Sequence, residues 1–113
     1  MVTVDDVREL AETLPRSYEV LVHDRVKFRV GSIVYVALSQ DEQTMGFAFP
    51  KEERAALVAA EPAKFALPPT SDMRFNWVMV RLAEIDVAEM TELVLAAWTM
   101  VVPKKVSRER LGG

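Results

Sequence analysis

The chain has 113 residues and no cysteine. That excludes disulfides, thiol nucleophiles, thiolate zinc sites and iron–sulfur clusters. Its one histidine, His23, would need carboxylates as partners in any zinc site. Four scattered glycines build neither a phosphate-cradling loop nor a dinucleotide fingerprint. No serine sits in a Gly-x-Ser-x-Gly turn. No apolar run is long enough to span a bilayer. The opening MVTVDDVREL carries two acids within its first six residues and does not read as a signal peptide. These absences set the expectation: a cytoplasmic domain that is not an enzyme, holds no metal or other cofactor, and has no membrane partner.

What is present suits one globular domain. Half the residues are hydrophobic, enough for a single core without staples. The net charge of −3 is unevenly spread. Residues 1–103 hold ten Lys/Arg against sixteen Asp/Glu; residues 104–113 hold four against one. The body is acidic and the end basic, so residues 1–103 are expected to form the domain and 104–113 a flexible basic tail. An acidic body is an unfavourable start for a nucleic-acid binder, since phosphate contacts supply most non-specific affinity.

The stretch Val26–Leu38, VKFRVGSIVYVAL, organises the chain as a β-hairpin. Gly31-Ser32 fits a two-residue type II′ turn, whose first position needs positive φ. A regular register from that turn pairs Val30 with Ile33, Phe28 with Tyr35 and Val26 with Ala37 on one apolar face. The other face pairs Arg29 with Val34, Lys27 with Val36 and Arg25 with Leu38, setting a row of cations beside an aliphatic row.

Elsewhere the periodicities are plain. Val4–Leu14 reads as a helix, with Thr3 and Asp6 forming a capping box, and Pro15 ends it. Ser17–His23 reads as a strand, and His23-Asp24 as a turn. Met45, Phe47 and Phe49 alternate with Thr44, Gly46 and Ala48, a strand whose second face is small enough to let something pack closely. Pro50 opens a short alanine-rich helix, and Pro62–Leu67 reads as a further turn with Phe65 tucked in. Met73–Leu82 is a strand with Val78, Val80 and Leu82 on one face and Phe75, Trp77, Met79 and Arg81 on the other. Asp86 with Glu89 caps a helix whose stripe includes Leu93, Ala97 and Trp98, and Pro103 stops it. The expected class is α+β: two layers, an antiparallel sheet of about five strands with helices on one face.

Few side chains suggest chemistry. His23 reads as a solvent-facing turn residue more readily than as a general base beside Asp24 or Glu19. Trp98 continues a helical stripe and belongs to the core. Trp77, near Arg74 and Arg81, could stack bases or anchor a protein. The row Arg25, Lys27, Arg29 has two readings: a strand-based contact with nucleic-acid phosphates, or charges that discourage edge pairing. Lys104 and Lys105 add cations near the end of the chain. Val34, Val36 and Leu38 would stand exposed unless something covers them, and a second copy of the chain is the simplest cover.

Taken together, the segments resemble the MmcQ/YjbR family of small bacterial proteins. The resemblance rests on DVRELAETLP followed by KFRVGSIVYVAL, on EERAALVAAEPAKFALPP, and on WVMVRLAEID running into LVLAAWTMVVPKKV. These match the family's F-R-V-G-K-x-F, G-W-V-x-V and A-W-x-x-V-x-P-K patterns over nearly the whole chain. The chain departs from them in carrying Ser32 for the turn lysine, Asn76 for the glycine before the tryptophan, and Val22-His23-Asp24-Arg25 for a Trp-Gly-Arg-Pro segment. The resemblance implies a compact α+β domain like secretion chaperones, labelled DNA-binding through a double-wing arrangement. The expectation is weak, non-specific contact with duplex DNA through Arg25, Lys27 and Arg29, with Lys104, Lys105, Arg74 and Trp77 as secondary contacts. The alternative is a protein-interaction or homodimer surface at Val34, Val36 and Leu38.

Overall fold

The computed structural model describes residues 1–112. The first helix, α1, spans Val4–Ala11. Its capping box is closed from both sides: Thr3 Oγ1 accepts from the Asp6 amide at 3.3 Å, and Asp6 Oδ2 accepts from the Thr3 amide at 2.9 Å. The helix stops a turn earlier than its apolar stripe, but Leu14 still reaches the core.

Three strands follow as a meander: β1 (Ser17–Val22), β2 (Arg25–Val30) and β3 (Ile33–Leu38). His23 and Asp24 both have positive φ, 50° and 63°, as a type I′ turn requires. Gly31 has φ 61° while Ser32 stays out of that region, which is the type II′ pattern. The turn therefore forms as the sequence predicts, and Val30 does face Ile33.

Beyond Arg29 and Val34 the expected register fails. Phe28 faces Val36 rather than Tyr35, and Lys27 faces Ala37. A β-bulge gives β3 one extra residue, so Tyr35 and Val36 together oppose Phe28 and both turn to the core. Alternation is inverted from there on. Val36 and Leu38 are 0% and 1% exposed and belong to the protein's own core, not to a surface row. Of the predicted aliphatic interface only Val34 stays on the cationic face. The cause is the composition of β3: with apolar residues on both faces, hydrophobic pattern cannot pin the register. Partners decide it instead, Val36 pairing with Phe47 and Leu38 with Met45. Tyr35 is fully buried, with its hydroxyl 2.5 Å from Ser17 Oγ, and burial pushes its pKa up.

Next come β4 (Thr44–Ala48), α2 (Arg54–Ala60), β5 (Phe65–Ala66) and β6 (Trp77–Arg81). The sheet order is β1-β2-β3-β4-β6-β5, and every neighbouring pair is antiparallel. The sixth strand is the short pair at Phe65, expected as a turn. α2 begins later than Pro50 because Pro50–Glu53 closes a turn first, the Glu53 amide donating to Pro50 O.

The helix α3 spans Val87–Thr99, and Asp86 caps it by accepting from the Glu89 amide at 2.8 Å. It packs with α1 on the face of the sheet carrying Phe28, Val36, Phe47, Val78 and Val80. Trp98 is fully buried there, and its Nε1 donates to Pro15 O at 3.0 Å, tying α3 to the connection between α1 and β1. The last helix, α4, spans Lys104–Gly112. The expected flexible tail is thus helical over its described length, with Val106 in the core; Gly113 lies outside the described residues. Among the described residues no helix is long and apolar enough to cross a membrane.

Candidate functional site

Because α1 and α3 take one face of the sheet, the other face keeps its own side chains. Directly opposed residues form a lane across it: Lys27 with Ala37, Ala37 with Gly46, Gly46 with Met79, Met79 with Ala66. A second lane sets Tyr18 beside Arg29 and Arg29 beside Val34. The middle of this face is therefore low, floored by Ala37, Gly46 and Ala48, while longer side chains rise on both sides.

The result is an open groove of about 660 Å³, within the ~300–1,000 Å³ usual for small-molecule sites. Arg25 and Lys27 stand on one side and Phe75, Asn76 and Trp77 on another. Met100 and Val101, from the segment after α3, also line it. Three of its apolar lining residues remain half in water: Ile33 is 53% exposed, Phe75 50% and Met100 42%. Asp72 is the one acidic side chain in the lining.

The aromatic wall is held from beneath and behind. The Trp77 indole lies over Gly46, so close that a Cβ there would come within 2.5 Å of Nε1. The sequence predicted close packing on the small face of this strand, and the tryptophan is what packs. Behind the wall is Arg54, buried at the start of α2. Its Nη1 donates to Phe75 O at 2.8 Å and to Trp77 O at 3.3 Å, and its Nη2 donates to Met73 O. Asn76 Oδ1 accepts from the Lys51 amide at 3.0 Å, so the residue standing for the family glycine fastens the same corner. Sequence reasoning gave Arg54 no role. Its acceptors lie 19–23 residues away, and no local pattern announces them.

The other expected site residues divide. Arg25, Lys27 and Arg29 do share one face, and none of them forms an ion pair among the described residues. Arg29 Nε is buried without a hydrogen-bond partner among the described residues. Arg74 is exposed, its guanidinium 4.7 Å from the centre of the Phe75 ring. Lys104 and Lys105 open α4 as exposed residues and do not line the groove. His23 is an exposed turn residue.

The sequence model of the YjbR family matches residues 3–100. The chain belongs to the YjbR family. Its fold is similar to the crystal structure of Deinococcus radiodurans protein DR2400, which carries a DUF419 domain: TM-score 0.77, 27% identity, covering 99% of this chain and 89% of that one. A shorter stretch is 43% identical over 51 residues to uncharacterized protein Rv2570 of Mycobacterium tuberculosis and to uncharacterized protein Mb2600 of Mycobacterium bovis. It covers 45% of this chain and 39% of those relatives' length. Within the YjbR match lie the strands, α1 to α3 and nearly all of the groove; α4 falls beyond it.

Proposed function

We propose that this YjbR domain is a non-catalytic nucleic-acid-binding protein that meets DNA phosphates with the face of the sheet opposite α1 and α3. The observation that supports it most is the shared position of Arg25, Lys27 and Arg29 on that face, without acidic partners among the described residues, beside a groove containing Trp77. Cations that find no internal partner are available to an external anion, and a nearby aromatic adds contact area. The acidic body opposes this attraction, so binding is weak and falls steeply with salt.

The test is fluorescence anisotropy with labelled duplex DNA across a salt series. Changing Arg25, Lys27 and Arg29 together to Ala should flatten the salt dependence by roughly 0.9 per lost phosphate contact. Unchanged binding by that variant rejects this face, and no binding by the unaltered protein at low salt rejects the function. A second reading, a protein partner or a second copy of the chain, is favoured by the half-exposed Ile33, Phe75 and Met100 around the same groove. Sedimentation over a concentration series tests self-association.

A further inference from the structure

The shape of the groove bears on which form of nucleic acid this face accepts. We infer that the groove takes a single-stranded segment, with an unpaired base stacked on the Trp77 indole and the flanking phosphates held by Arg25 and Lys27; the inference rests on the nucleic-acid reading above.

A duplex presents a ridge of phosphate and sugar. Laid on this face it would satisfy the cations and leave Ile33, Phe75 and Met100 uncovered. An unpaired base has two flat apolar faces and covers them. The floor suits such a ring, because Ala37 and Ala48 carry nothing longer than a methyl group and let it sink beside the indole, which itself covers Gly46. Stacking tolerates any base, since every base has a π-face.

The aromatic partner is fixed before anything arrives. Gly46 lets the indole lie against the sheet, and Arg54 holds the carbonyls of Phe75 and Trp77, so little ordering remains to oppose binding. Arg74 over Phe75 extends the wall with a second planar cation. Electrostatics point the same way. A stiff duplex would lie along an acidic body, whereas a flexible strand can follow the groove, whose lining holds two cations, Arg25 and Lys27, and one acid, Asp72.

The experiment compares an oligothymidylate of about ten nucleotides with a duplex of the same length at one low salt concentration. The single strand should bind tighter and quench tryptophan emission. The quenching reports Trp77, because Trp98 is completely buried. Trp77→Leu should weaken single-strand binding roughly 5- to 150-fold and duplex binding several-fold less than that, while Trp77→Phe retains most of the single-strand affinity. Equal binding of both forms without quenching, abolished by the Arg25, Lys27 and Arg29 changes, would overturn the single-strand inference and leave the phosphate reading standing. Binding of neither form would overturn both. If Trp77→Leu does not fold, the quenching of the unaltered protein still decides.

Discussion

The Trp77 indole occupies the space that a side chain at Gly46 would need: a Cβ there would lie 2.5 Å from Nε1 and 2.8 Å from Cε2. Gly46 is not in the left-handed region, so the requirement for glycine is one of room, not of backbone conformation. Gly46→Ala should push the indole out into the groove and destabilise the fold by about 1–3 kcal/mol, as overpacking does. Urea unfolding followed by tryptophan emission reads both effects. An unchanged native emission spectrum would show that the indole is not seated as described.

Arg54 is the second support of the aromatic wall. Arg54→Met leaves the carbonyls of Met73, Phe75 and Trp77 without their donor and should cost about 1–3 kcal/mol. Lysine should not restore it, since one ammonium cannot reproduce the planar fork. Amide exchange should accelerate over the 73–77 segment first; uniform acceleration across the sheet would argue against a local clamp.

Trp98 fills the core between α3 and the sheet and bonds to Pro15. Trp98→Ala should cost about 3–5 kcal/mol by denaturant unfolding. A loss below 1 kcal/mol would be incompatible with complete burial.

The bulge in β3 makes two neighbouring valines unequal. Val36→Ala should cost about 1.5–3 kcal/mol, because Val36 is fully buried against Phe28 and Phe47. Val34→Ala, on the cationic face, should cost under about 1 kcal/mol. Equal costs, or the reverse order, would restore the regular register.

Tyr35 gives a dependence on alkaline pH. Burial raises its pKa above the ordinary value of about 10, opposed by the hydrogen bond with Ser17. The folded state therefore keeps a proton that the unfolded chain releases. The resulting stabilisation is complete below about pH 10 and is lost as pH rises through the folded-state pKa. Tyr35→Phe should lose about 1 kcal/mol at neutral pH with the hydrogen bond, yet decline less steeply above pH ~10. Identical slopes in thermal melts across that range would remove Tyr35 as the cause.

What could be read from the residues was local. Thr3 with Asp6, Gly31-Ser32, Asp86 with Glu89 and the stripe through Trp98 each depend on neighbours within a few positions, and each formed as read. Strict alternation likewise sorted the two faces of β4, because Thr44, Gly46 and Ala48 stand opposite the large apolar Met45 and Phe47. Tertiary structure decided the rest. In β3 both faces are apolar, so the choice to bury Val36 and Leu38 came from their partners Phe47 and Met45, reached through a bulge no local signal marks. The same holds for the groove. Its cations were legible as a row, but its floor, its fixed tryptophan and the buried Arg54 behind it depend on residues far apart in sequence meeting across β4 and β6. Periodicity can state which way a side chain faces; only packing states what it faces.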